Sequence, residues 1–141
     1  MMDLNKDFLR NNDLGLLVLR LSMGGFMLFH GIHKAMAGID FLSGMLASMG
    51  IPSFLSYGVL LGELVAPIMI IIGLWTRAAS FVLAVNMIVA ILTAHLGVLF
   101  SVDATTGGSL VELPMLYLLG ATALCFTGAG KYAITKGTFL D

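Results

Sequence analysis

Charge is what this sequence has least of. Of 141 residues, seven are Lys or Arg and eight are Asp or Glu, 11% in all, against 59% hydrophobic, and the mean hydropathy is +1.02. Soluble domains carry about 25% charged residues, so this chain has too few to cover a water-facing surface. The expected class is an integral membrane protein, a single membrane domain over residues 1–141. No basic stripe is present, which argues against a nucleic-acid partner, and the net charge of −1 points to no partner at all. Cysteine is also nearly absent. Cys125 is alone inside an apolar run, so an intrachain disulfide and a C-x-x-C dithiol are both excluded, and redox chemistry would need a bound cofactor or a partner. The opening "MMDLNKDFLRNNDLG" has neither the apolar core nor the small-residue exit of a cleavable signal peptide.

What the chain does have is long apolar runs. Four reach the roughly 20 residues needed to cross a bilayer: about 14–32, 54–75, 78–100 and 110–127. Helices are the expected form, because an open sheet cannot satisfy its edges in lipid, and the fold class is an all-α membrane four-helix bundle. "GLWTRAAS" allows only a tight turn between the second and third runs, making them antiparallel neighbours. Residues 35–53 place Ile39, Leu42, Met45, Leu46 and Met49 at helical spacing, with Asp40 as a candidate cap and Gly50 and Pro52 as a stop. A short interfacial helix over about 40–49 on the outer side follows. "SVDATTGGS" reads as a polar, mobile loop. Lys6, Arg10, Arg77, Lys131 and Lys136 fall on one side of the bundle and Lys34 on the other, so both termini are expected in the cytoplasm. The ten methionines, spread over many helical positions, read as core or lipid-facing filler.

Against this apolar background the ionisable residues stand out, since a charged side chain at a helix centre costs about 2.5–3.5 kcal/mol. Counting about 1.5 Å per residue from each span's centre, Arg20 and Glu63 fall near mid-membrane on antiparallel helices. A structural ion pair between them is expected, as the least costly way to hold both. The same count puts His30, His95 and Glu112 about 10 Å toward the outer face, with His33 and Lys34 at the mouth. This describes an outward-facing polar pocket with ligand-binding residues His30, Lys34, Glu63, His95 and Glu112. Each has a plainer explanation: His95 can bond a backbone carbonyl, and Glu112 suits the first turn of a helix through the dipole alone. Pro67, four residues after Glu63, would kink its helix and free a carbonyl near the site, while Asn86 fits an interhelical hydrogen bond. Two histidines at one depth raise haem ligation, and His30, His95 and Glu112 are of zinc-ligand type. Without a local spacing motif, no metal is assigned.

The ordered segments "RLSMGGFMLFHGIHK", "MGIPSF", "GELVAPIMIIIGLWTRAAS", "AHLG" and "GAGKYAI" resemble the DoxX family of small four-span membrane proteins, over about residues 13 to 133. The resemblance is carried by Arg20, His30-Gly31, Lys34, Pro52, Glu63, Gly73, Arg77 and Gly130 as a set. It implies a prokaryotic cytoplasmic (inner) membrane protein, a subunit of or accessory to a quinone-linked oxidoreductase or oxidative-stress complex. Quinone is the cofactor this implies, and the lipid bilayer, other redox subunits or a second copy are the partners. A quinone carbonyl needs a hydrogen-bond donor and nearby protons, which histidines and a buried carboxylate can supply. The alternatives are a non-catalytic assembly or scaffold protein, in which the charges hold helices together, and a proton-coupled transporter, for which four spans leave little room. Whether the chain is itself an enzyme is open at this point.

Overall fold

The computed structural model describes residues 10–141, so Lys6 lies outside the described residues. Among the described residues the fold is helical, its one β feature being an isolated bridge between Val102 and Ser109. Five elements follow in order: α1 (Asn12–Ala37), α2 (Ile39–Ser48), α3 (Ser53–Ile72), α4 (Thr76–Val98) and α5 (Glu112–Thr127). α1, α3 and α4 are long and apolar enough to cross a membrane. α5 has 16 residues, about 24 Å, and completes the bundle by packing chiefly along α4. Of the four expected spans, then, three have full spanning length and the fourth is a shorter helix.

Local chemistry explains where the helices stop. The Asn11 side chain accepts the Leu14 N–H at 3.0 Å and starts α1, with Asp13 in the first turn where the helix dipole favours it. Gly73 ends α3 in the left-handed region (φ +74°), and the Leu74 N–H closes back on the Met69 carbonyl at 2.9 Å, a Schellman-type stop. That is why α3 ends before the apolar run does: Leu74 and Trp75 continue the hydropathy but lie beyond the stop. α2 falls where a short helix was expected and buries Leu42 and Leu46. Its cap does not match. Gly38 occupies the N-cap position with no side-chain bond, and Asp40 sits inside the first turn. The loop before α5 is also more organised than its composition implies. Asp103 Oδ1 accepts the Thr105 and Thr106 N–H groups at 2.8 Å each, and Asp103 N–H donates to Gly108 at 2.8 Å, folding the glycine-rich stretch into a closed turn. These donors, Thr106 first, hold the Asp103 carboxyl below its usual range.

Small residues set how closely the helices approach. A Cβ at Gly31 would fall 1.9 Å from the Glu63 carbonyl oxygen, and one at Gly24 would meet the Pro67 carbonyl oxygen at 2.8 Å. α1 and α3 are therefore in backbone contact along their length, the packing available to helices in lipid, where apolar burial drives little. This contact sets their register: Gly31 stands level with Glu63, and Gly24 with Pro67 and Ile71. Met23, Met27, Ile70, Leu83, Met87 and Leu124 fill the space between the helices.

The segment after α5, residues 128–141, closes the end of the bundle where α1 begins. It is stitched to the α3–α4 turn by Ile134 N–H to Ile72, Thr135 N–H to Gly73 and Arg77 N–H to Leu140. The Arg77 guanidinium adds a 2.7 Å bond to the Cys125 carbonyl, one to Phe139, and a position 5.1 Å over the Phe139 ring. Arg77 thus ties three chain segments together at this turn.

Candidate functional site

The other half of the bundle holds a cavity of about 390 Å³, bounded by α1, α3, α4 and α5. Its polar lining is His30, Lys34, Glu63, His95 and Tyr117; Met27, Met87, Leu113 and Pro114 supply apolar wall. At its centre is Glu63, 4% exposed. The Lys34 ammonium lies 2.7 Å from both Glu63 carboxylate oxygens, donating its hydrogen bond to Oε1, and Asn86 Nδ2 donates to the same Oε1 at 3.1 Å. Oε2 is buried and is held by the Lys34 ammonium alone, as an ion-pair contact at 2.7 Å. Oε1 thus takes two donors, and Oε2 has the cation as its partner.

Both helices that carry the deepest polar groups depart from α geometry at those groups. α3 widens into a π turn over Leu61–Val65, which contains Glu63. α4 does the same over Ile91–His95, ending on His95. π turns displace a side chain relative to the helix face and recur at functional sites. For α3 a cause is visible in the sequence: Pro67 lacks the N–H that would bond the Glu63 carbonyl four residues back, and Gly31 of α1 packs against that same carbonyl. In α4 the His95 ring lies with Nδ1 3.2 Å from the Ala90 carbonyl at the start of the wider turn.

The expected site residues sort into three groups. His30, Lys34, Glu63 and His95 come together around one cavity. Glu112 does not join them. It is exposed in the first turn of α5 and its carboxylate faces the 101–109 turn, close enough that a Cβ at Gly108 would meet Oε2 at 2.9 Å. His33 is exposed and lies outside the lining. The expected pair of Arg20 with Glu63 is not formed, and Glu63 takes Lys34 instead. Arg20, 1% exposed, donates Nε to the Ile70 carbonyl at 2.9 Å and Nη2 to Ile71 at 2.8 Å, and Nη1 bonds both Ala129 (3.1 Å) and Tyr132. The physical reason is register. Centring the two apolar runs on each other puts Arg20 level with Glu63, but the glycine contacts slide the helices by about 10 Å, so that Arg20 meets the C-terminal end of α3. There the last carbonyls have no helical partner and a cation is favoured by the dipole.

Two residues complete the site beyond those expected. Asn86, foreseen as an interhelical hydrogen bond, has the Glu63 carboxylate as its acceptor. Tyr117 was not foreseen. It is buried on α5 with its ring edge-on to His30, centroids 6.3 Å apart and planes at 84°. Its one sequence signal is a tyrosine at mid-helix rather than in the interfacial belts where Tyr is usual. Edge-to-face aromatic contacts are worth about 0.5–1.5 kcal/mol beyond the area they bury, and this one links α1 to α5. His30, His95 and Glu112 do not converge, and among the described residues no three His, Cys, Asp or Glu side chains are grouped as a metal site would need.

The arrangement offers a ring-sized, mainly apolar space with one part-buried ion pair, two imidazoles and a phenol. Comparison with known proteins agrees with a membrane family. The chain is 30% identical over 136 residues to a Bacillus subtilis (strain 168) protein named "Putative oxidoreductase CatD", covering 96% of this chain and 92% of that one. It is 34% identical over 124 residues to a Haemophilus influenzae (strain Rd) protein that carries no functional name, covering 86% and 88%. No solved structure matches it. The sequence model of the DoxX family matches residues 15–96, which include α1, α2, α3 and the α4 segment through His95. The chain belongs to the DoxX family.

Proposed function

We propose that this protein is a membrane subunit of, or accessory to, a quinone-linked oxidoreductase, and that the cavity around Glu63 holds the head of a quinone-class molecule. The observation that carries this reading is the Lys34–Glu63 ion pair set in the wall of a mainly apolar cavity lined from four helices. The residues fit such a head. About 390 Å³ falls within the 300–1,000 Å³ usual for small-molecule sites, and the walls are apolar with polar groups from four helices. The name of the Bacillus subtilis relative supports an oxidoreductase setting. A bound quinone would supply two-electron, two-proton redox chemistry.

The chain's own residues bind, orient and exchange protons. The Glu63 carboxylate would accept a hydroxyl of the reduced head. Lys34 and Asn86 hold the carboxylate still and keep its charge balanced. Tyr117 and the imidazoles of His30 and His95 would donate to ring oxygens, and an imidazole can both hold and release a proton. The remaining walls exclude water. We place the protein in the prokaryotic cytoplasmic membrane with both termini inside. Arg10, Arg77, Lys131 and Lys136 belong to the end of the bundle where α1 begins, and Lys34 to the opposite one, as the positive-inside rule requires.

The test is binding of a soluble benzoquinone analogue to purified protein in lipid nanodiscs, followed by the absorption difference between oxidised and reduced ligand. Saturable binding that is lost in Glu63→Gln and in His95→Ala, while both variants keep the wild-type melting profile, is the expected result. Unchanged binding in both variants sinks the pocket. A second reading, a non-catalytic scaffold, is favoured by the engagement of Arg20 and Arg77 with backbone carbonyls. It predicts no saturable binding at all.

A further inference from the structure

The cavity has a neighbour on the lipid side. A groove of about 410 Å³ runs outside the bundle between α1 and α5, lined by Ser22, Met23, Phe26, Phe29 and Leu116, and it shares His30, Leu113 and Tyr117 with the polar cavity. The two spaces meet at the His30–Tyr117 ring pair, which spans the seam by edge contact. At one end of the seam α1 and α5 touch, since a Cβ at Gly120 would fall 2.5 Å from Met23 Sδ. At the cavity the His30 and Tyr117 rings link them by edge contact. Phe26 and Phe29, 65% and 73% exposed, form the lipid-facing wall.

We infer that the ligand enters from within the bilayer, sideways through the α1–α5 seam, and that it is amphipathic: a hydrogen-bonding ring head passes His30 and Tyr117 to Glu63, while a single linear apolar tail remains in the groove. This rests on the quinone-site reading for the head, and adds where the ligand comes from and why it needs a tail. The occupant follows from continuity. A groove that shares three residues with a polar cavity is placed to hold the apolar part of whatever fills that cavity. From Ser22 to Phe29 the groove follows about 10 Å of helix, enough for the first segment of an isoprenoid or alkyl chain, and its width between two helices admits one chain rather than two. Bilayer lipid is the competing source of a tail, and it lacks a ring head for the cavity.

The test compares two probes, a dimethoxy-methyl-benzoquinone without a tail and the same head with a decyl chain, in nanodiscs of one lipid composition. Wild type is set against Ser22→Trp, which fills the groove from an exposed position, and Phe26→Ala, which removes its wall without touching the cavity. Each variant is referred to wild type with the same probe, so partitioning of the decyl chain into lipid cancels. The expected result is a fall in affinity for the decyl probe of about tenfold in Ser22→Trp and severalfold in Phe26→Ala, with the tailless probe unchanged in both. If both variants bind the decyl probe as wild type does while Glu63→Gln loses both probes, the cavity stands and the lateral groove is wrong. If wild type binds neither probe, the quinone-site reading itself fails and the groove falls with it. Equal competition by decanol would assign the groove to a lipid chain and overturn the head-and-tail ligand. Should Ser22→Trp not fold, Phe26→Ala decides alone.

Discussion

Two cations, the buried Arg20 and the part-exposed Lys34, lie on the same helix fourteen residues apart, and they have opposite fates. Arg20 spends its guanidinium on four backbone carbonyls at the end of the bundle where α1 begins. The C-terminal carbonyls of α3 and the chain after α5 gain donors they would otherwise lack. Lys34 reaches a carboxylate instead, and the resulting pair with Glu63 forms part of a cavity wall. The comparison teaches that intramembrane charge by itself does not mark a site. A cation enclosed by backbone carbonyls is architecture; an ion pair lining a void is a place for chemistry.

That contrast can be broken by substitution. The largest effect is expected for Arg20→Leu, which leaves several carbonyls unsatisfied at about 1–3 kcal/mol each. A loss of about 3–5 kcal/mol should appear as a large fall in thermal or SDS-unfolding midpoint, if the variant folds at all. Should Arg20→Leu prove as stable as wild type, the division between an architectural end and a functional end collapses. Gly31→Ala comes next. Its methyl cannot coexist with the Glu63 carbonyl at 1.9 Å, so α1 and α3 must separate, at about 1–3 kcal/mol, and ligand binding should fall as the Lys34–Glu63 pair is pulled apart. Glu63→Gln should behave in the reverse sense to Arg20→Leu: about 1 kcal/mol or less in stability, yet a drop of about tenfold or more in ligand affinity, because a charge-assisted hydrogen bond is lost where the ligand sits. Melting and binding curves on the same preparations separate the two cases.

The smallest effect concerns the turn before α5. Asp103 has its pKa lowered by the folded turn, so its contribution is present above the unfolded carboxylate value and fades as pH falls through the lower folded one. Amide exchange at Thr105 and Thr106 should therefore be protected at neutral pH and lose protection below the usual Asp value of 3.8. Exchange that does not change across that range would mean the Asp103 bonds do not order the turn.

Much of this architecture is written in composition. An apolar chain with 11% charge must sit in lipid, helices are the available answer there, and Asn11, Gly38, Gly73 and Gly128 mark element ends by backbone chemistry that is local. The choice of His30, Lys34, Glu63 and His95 as companions was also legible, because each is costly in an apolar run and they sit at related depths. The Arg20–Glu63 pairing was not. Depth counted along separate helices assumes that their centres coincide, and an offset of two turns is invisible until Gly24 and Gly31 are seen against the α3 backbone. Tyr117 was hidden for a related reason, since α5 is apolar all round and its sequence does not say which face meets α1. The sequence by itself determined the solvent, the helices and the residues too costly to be idle. Tertiary structure alone decided which of those residues meet, because close packing in lipid is set by the few small side chains that let backbones touch, and that register carries every polar group with it.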